Sequence, residues 1–302
     1  MEIAWLGPSG TGVMRVIKQT IKSIFPEIVL DVVQAARSYR KAHGAFPNLF
    51  FPSTFNEKVM ARSLFDTRPI LRQFADKYAV RDYVSKRLGD DFLPELYWVT
   101  RAPRDIPLNR LPGSFVVKPT HGAGWVRLVR DKSALAKAEL VRQCEYWLTQ
   151  NFYKQHRERV YKGIVPRIMI EELIDDGGEA APTDYKFMVF HGRVEMVCVI
   201  AGRFVNTRGY FLDRDWNLIE AGLVNKAANI NSAPPSQSPP KPPHFEEMIR
   251  AAEILAKGVD FVRVDFYDTQ KKIYFGELTT TPGAGLASYE PADFDAQLGK
   301  LW

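Results

Sequence analysis

"FVRVDFY" (261–267) and "YFGELTTTPGAG" (274–285) decide how this chain reads. Both runs are rich in β-branched and aromatic residues, and "DTQKK" (268–272) between them is a polar turn, so they read as a hairpin. A turn centred on Lys271 sets Asp265 opposite Glu277 and Tyr267 opposite Phe275. Side chains alternate along a strand, so Arg263, Asp265, Glu277 and Thr279 share one face. Val262, Val264, Phe266 and Leu278 then point into a core. Acids directly opposite each other destabilise a ladder by tenths of a kcal/mol, roughly, so removing one is expected to relieve the fold. A bound divalent cation reverses that sign, because magnesium takes hard oxygen ligands, commonly one or two carboxylates plus substrate phosphates. A solvated sheet face is the competing reading; the adjoining arginine and the Gly/Pro-rich loop favour the cation.

Around this hairpin the composition is that of a soluble globular chain. It has 302 residues, 46% of them hydrophobic and 25% charged, enough for one compound domain or two lobes. Cys144 and Cys198 form neither a disulfide framework nor a metal spacing, which fits a reducing, cytoplasmic setting. No run approaches 18 uncharged apolar residues, so no membrane span is expected. "MRVIKQTIKSIF" (14–25) is too interrupted by charge for a signal peptide. Its stripe of Val13, Ile17, Ile21 and Ile24 reads as a core-facing helix, with a basic membrane-surface helix as the alternative. A formal net charge of +6 favours an anionic partner: nucleotide phosphate, an acidic sugar or a phospholipid surface. No nucleic-acid-binding motif is visible.

Residues 10–90 read as mostly helical, with a capping box at Ser53 or Thr54 and Glu57 and a helix end at Gly89. Strand character begins near 93–100. Residues 113–131 give strand, glycine loop and strand, and 133–153 an amphipathic helix. Residues 167–175 form a buried strand ending on acids, and 184–203 a hairpin around His191-Gly192. "SAPPSQSPPKPP" (232–243) is a proline-rich connection, followed by a helix over 244–258.

Several of these stretches carry chemistry. Lys118 leaves an apolar strand into "PTHGAG" (119–124), where a lysine and glycine-exposed backbone N–H groups suit phosphate oxygens. His121, Gly122 and Gly124 belong to that loop. "GPSGTG" (7–12) lacks the Lys-Ser/Thr ending of a phosphate loop and reads as an ordinary loop. Glu171 and Glu172, followed by Leu173 and Ile174, end a strand whose backbone and acids could read an adenine edge; solvated acids are the plainer alternative. Asp184 and Lys186 share a strand face, where Lys186 could offset phosphate charge.

The order of these signals resembles the ATP-grasp superfamily: lysine strand with glycine flap, acid-ending strand, lysine strand, then a D…E-x-T hairpin. The hairpin is similar to the "R-x-D … E-x-N-x-x-P-G" end motif of D-alanine–D-alanine ligases. "FNEKV", "ADKYAVRDYV", "LPGSFVVKPTHGAG", "DYKF", "FVRVDFY" and "YFGELTTTPGAG" together resemble the TupA-like ATP-grasp proteins of surface-polysaccharide clusters, from about residue 50 to the end.

That resemblance implies an α/β (α+β) ATP-grasp fold: a mostly helical N-terminal region (1–95), a lid (96–170) and a C-terminal antiparallel sheet with helices (171–302). It implies that Lys118 and Lys186 contact the phosphates of ATP and that residues 171–174 meet adenine. Asp265, Glu277 and Thr279 would hold Mg2+, and Arg263 would stabilise an acyl-phosphate step. Thr279 stands where many relatives carry asparagine, which leaves one or two metal ions open. The implied activity is a carboxylate–amine ligase joining an acidic, small-molecule or lipid-linked saccharide to an amine or amino acid. The setting would be cytoplasmic, with peripheral contact at the inner membrane face open. A glycosyltransferase or sugar kinase of the same pathway, or a nucleotide-binding module without turnover, are the alternatives.

Overall fold

The computed structural model describes residues 27–174, 182–201, 208–225, 230–231, 237–269 and 271–302. The 7–12 loop, the apolar stripe at 13–24 and residues 232–236 of the proline-rich connection lie outside them. The chain divides into two units, Met1–Pro47 and Asn48–Trp302. In the first, a helix spans Glu27–His43, with Arg40 stacked over Phe46 at 4.9 Å.

The second unit opens with the helix Phe55–Phe65. Thr54 caps it, accepting from the Glu57 amide, while Glu57 accepts from the Thr54 amide: the expected capping box. The helices Pro69–Ala75 and Ala79–Leu88 follow, the latter ending at Gly89 with φ +90°. A four-stranded antiparallel sheet then forms from β1 (Leu96–Thr100), β2 (Phe115–Pro119), β3 (Arg127–Val129) and β4 (Ile168–Glu171), in the order β1-β4-β2-β3. Phe115, Val117, Ile168 and Ile170 pack it against Leu140, Cys144 and Trp147 of the helix Lys137–Thr149. That helix is shorter than expected. Asp131 ties Ser133 into a turn ahead of it, and Asn151 caps a separate short helix, Phe152–His156.

β5 (Asp184–Phe190) and β6 (Arg193–Ala201) form the expected hairpin, turning on His191 (φ +48°) and Gly192 (φ +83°). Then come β7 (Arg208–Asp213), β8 (Leu218–Ile219), β9 (Gly222–Asn225) and β10 (Ile230–Asn231). The helix Phe245–Ala256 leads into β11 (Phe261–Asp268) and β12 (Ile273–Thr279). β13 (Ser288–Glu290) and the helix Phe294–Leu301 complete the unit. The main sheet runs β12-β11-β5-β6-β7-β8, beside a small sheet β10-β9-β13.

The two faces of the main sheet bury different sets. Val262, Val264, Phe266 and Leu278 lie in a core with Phe187, Val197 and Leu212, covered by apolar residues of the helix Phe245–Ala256. On the opposite face Met188, Cys198, Ile200 and Phe211 pack toward Phe55, Val59, Phe294 and Leu298.

One register expectation is corrected. Asp265 does pair with Glu277, but Tyr267 pairs with Tyr274, not Phe275, because the ladder shifts between Asp265 and Phe266. Gly276 sits in this bulge; a Cβ there would lie 3.1 Å from the Asp265 carbonyl oxygen. The extra residue lets Phe275 join the core while Glu277 keeps the face of Asp265, which unbroken alternation forbids.

Candidate functional site

Arg263, Asp265, Glu277 and Thr279 meet as the alternation requires. The Arg263 guanidinium donates to Asp265 Oδ1 and Oδ2, each at 2.7 Å, to Glu277 Oε1 at 2.7 Å and to Thr279 Oγ1 at 3.1 Å. From the next strand Lys186 Nζ reaches Asp265 Oδ2 at 2.5 Å and Asp184 Oδ2 at 2.8 Å. The expectation that the facing acids simply repel is therefore corrected: two buried cations offset them. Glu277 is pulled upward by burial, yet Arg263, Lys186 and Lys77 hold its carboxyl well below the usual range. Burial dominates at Asp265 and raises its carboxyl despite Arg263 and Lys186. Arg263 and Lys186 are both raised, their acidic neighbours outweighing burial.

The donor set fits a divalent cation. Glu277 Oε1 and Thr279 Oγ1 are 3.0 Å apart, Asp265 faces Glu277, and the Glu277 side chain is 43% exposed to the cleft. Among the described residues no group of three or more His, Cys, Asp or Glu could hold a metal ion. The remaining ligands would have to come from phosphate and water, as magnesium usually requires.

Across from this face lies Lys118, at the end of β2. Its ammonium pairs with Glu171 Oε1, and Arg81 Nη1 stands 3.5 Å from Glu171 Oε2. Glu172, just past the end of β4, accepts from the Tyr274 hydroxyl of β12 at 2.8 Å and from the Glu95 amide at 3.1 Å. One cleft of about 530 Å3 is lined by Lys118, Gly124, residues 171–174, Asp184, Lys186, Arg263, Asp265 and Glu277. Thr279 lines a smaller adjoining recess together with Lys77, Lys118, Glu171 and Glu277. His121 and Gly122 lie buried at the base of the flap. His121 Nε2 sits 3.1 Å from the Trp147 carbonyl, and Gly122 packs so closely on Trp125 that a Cβ would meet its ring at 2.7 Å.

The sequence reading missed Lys77, in "ADKYAVRDYV". Its ammonium donates to the Gly122 carbonyl of the flap, and it lines both cavities. Burial lowers its pKa, against the pull of Glu277. The available signal was Asp76, whose carboxylate accepts from the Tyr78 and Ala79 amides and so fixes the turn that carries the lysine.

The sequence profile of the TupA-like ATPgrasp family matches residues 57–302. The chain belongs to that family. Among solved structures it is similar to a D-alanine–D-alanine ligase from Bacillus anthracis complexed with ATP: 18% identity, TM-score 0.40, 70% of this chain and 54% of that one. The Helicobacter pylori D-alanine–D-alanine ligase matches at 15% identity and TM-score 0.42, over 76% and 61% of the two chains. A Chryseobacterium gregarium RiPP-associated ATP-grasp ligase, in complex with ADP and a leader and core peptide, matches at 12% and 0.38, over 82% and 66%. The chain thus spans between about half and two thirds of the length of those structures. Comparison with curated proteins finds no match.

Proposed function

We propose that this protein is an Mg-ATP-dependent carboxylate–amine ligase acting through an acyl phosphate. The observation that carries the reading is the single cleft that sets Lys118 across from Lys186, Arg263, Asp265 and Glu277. ATP is the first substrate, with its phosphates between Lys118, Lys77 and Lys186 and its adenine along residues 171–174. Asp265, Glu277 and Thr279 would hold Mg2+, which would neutralise phosphate charge. The flap with His121, Gly122 and Gly124 would close over the phosphates and exclude water. Residues 96–170 act as the lid and 171–302 as the sheet that carries the acids.

Arg263 has two roles in this reading. It holds the acids in place through Nε and Nη2, and its positive charge at the cleft would stabilise negative charge as an acyl phosphate is attacked. The acid is an anionic saccharide, a uronic acid free or lipid-linked, in keeping with the net charge of +6. The setting is surface-polysaccharide assembly in the cytoplasm, at or near the inner membrane face. No helix among the described residues is long and apolar enough to cross a membrane.

The test is ADP release across a panel of uronic acids and amino acids, with hydroxylamine present to trap acyl phosphate as hydroxamate. ADP and hydroxamate should appear only with an acid substrate. Clean sugar transfer without ADP would point to a glycosyltransferase instead, and neither product to a silent nucleotide-binding module.

A further inference from the structure

The two most exposed large apolar side chains among the described residues are neighbours, Phe50 at 86% and Phe51 at 83%. The loop that carries them is braced. Asn48 donates its amide to Glu57 Oε1 at 2.8 Å and accepts from the Phe51 amide at 3.0 Å. Ser53 donates its amide and its hydroxyl to Glu57 Oε2 at 3.0 and 3.2 Å, and Pro47 and Pro52 flank the pair. Phe55, in the helix that follows, is fully buried. The backbone thus holds two rings out in water while it sends a third into the core.

The chain leading to these rings is basic. Residues 32–56 contain Arg37, Arg40 and Lys41 and no Asp or Glu, and Glu57 is buried against the loop's own donors. The three cations are exposed on one face of the helix Glu27–His43, with Val33 exposed one turn before Arg37. Phe46, also exposed, lies under the Arg40 guanidinium. Only residues 47–49 separate Phe46 from Phe50, so the chain itself keeps those rings within about 14 Å of each other.

We propose that Phe50 and Phe51 dip into the headgroup region of an anionic bilayer while Arg37, Arg40 and Lys41 meet its phosphates. This assigns residues to the membrane contact of the setting proposed above and rests on that setting, not on the ligation chemistry. Two phenyl rings supply roughly 300–500 Å2 of apolar area, whereas a stable protein interface takes about 800 Å2 from each partner. The loop is therefore too small to hold a protein by itself. A second copy is disfavoured further, because a symmetric contact sets the same basic stretch against itself. A bilayer asks for less: apolar wedges and nearby cations each add to binding, and the cytoplasmic leaflet is negative.

The experiment measures co-sedimentation of the full chain with vesicles of phosphatidylcholine alone or mixed with phosphatidylglycerol. Binding to the mixed vesicles should exceed binding to phosphatidylcholine by about tenfold or more and should fall as salt rises. Phe50→Ser combined with Phe51→Ser should weaken binding by about tenfold or more with Tm unchanged, since both rings already stand in water. Arg37→Gln, Arg40→Gln and Lys41→Gln together should erase the preference for phosphatidylglycerol. In Phe51→Trp, lipid brominated on its acyl chains should quench emission more than it quenches the wild type, which adsorption by charge alone does not produce. Wild-type binding by the double serine variant, or no binding to either vesicle, overturns the proposal. A dimer that the same substitutions dissolve, read by sedimentation velocity without vesicle binding, assigns the rings to a second copy instead. ADP release from a soluble acid needs none of these residues, so this proposal and the ligase reading fail separately.

Discussion

Thr281 donates its hydroxyl to Glu158 Oε2 across 2.7 Å, tying the loop after β12 to the turn that precedes β4. Both residues are buried. Burial pushes the Glu158 carboxyl up from 4.5 to about 7, with the Thr281 hydroxyl pulling the other way. Between these values the folded protein keeps a proton that the unfolded chain has released. The stability linked to Glu158 is therefore full below the lower value and is lost as pH rises toward the higher one, by on the order of 3 kcal/mol. Glu158→Gln should flatten that fall, read as Tm against pH from about 4.5 to 8. A wild-type-to-variant Tm difference that stays constant over this range contradicts the assignment.

Asp265 and Glu277 should behave differently on neutralisation. Burial outweighs Arg263 and Lys186 at Asp265 and raises its carboxyl, so Asp265→Asn removes a charge that the fold disfavours and should leave stability unchanged or slightly higher. Cations hold the Glu277 carboxyl low, so Glu277→Gln removes a favoured charge; with the side chain 43% exposed, screening limits the loss to about 1 kcal/mol. Both should abolish turnover. Urea unfolding separates the two, and a larger loss for Asp265→Asn would contradict the assignment.

Lys77→Met should weaken ATP binding by about 10- to 100-fold, the worth of one charge-assisted hydrogen bond. It should also speed hydrogen exchange in the flap, since Lys77 holds the Gly122 carbonyl. Lys118→Ala should weaken ATP without loosening Gly122, and calorimetry paired with hydrogen exchange reads both effects. Unchanged affinity in both variants would place the phosphates elsewhere.

Gly285→Ala tests why the loop after β12 is written with glycines. Gly285 has φ +73°, and a Cβ would lie 2.5 Å from the Asn56 carbonyl oxygen of the helix Phe55–Phe65. Strain and backbone clash together should cost about 2–4 kcal/mol in thermal unfolding. A wild-type melt would mean that the helix yields at no cost.

Much of this site was legible because its residues obey period two. Arg263, Asp265, Glu277 and Thr279 declare their shared face in a run whose other residues are apolar. What alternation cannot show is the bulge at Gly276, since a glycine in a strand reads the same with or without an extra residue in the ladder. Nor can local pattern pair distant groups. Lys118 with Glu171, Lys77 with Gly122 and Glu158 with Thr281 join segments 45 to 123 residues apart. The strands β7 to β10 and β13 were not read at all, being two to six residues each and too short for a periodic signal. His121 looked like part of a phosphate loop, yet folding turns it toward Trp147, a direction that only the packing of the helix Lys137–Thr149 sets.

The most direct measurement is calorimetric titration of ATP into the full chain with Mg2+ and with excess chelator, repeated for Glu277→Gln. If the carboxylates of β11 and β12 hold the metal that bridges to phosphate, wild-type binding should tighten at least about tenfold with Mg2+. Glu277→Gln should lose most of that gain while keeping the metal-free affinity. Binding that is identical with and without Mg2+, or a Glu277→Gln variant that keeps the full gain, would contradict the site as described.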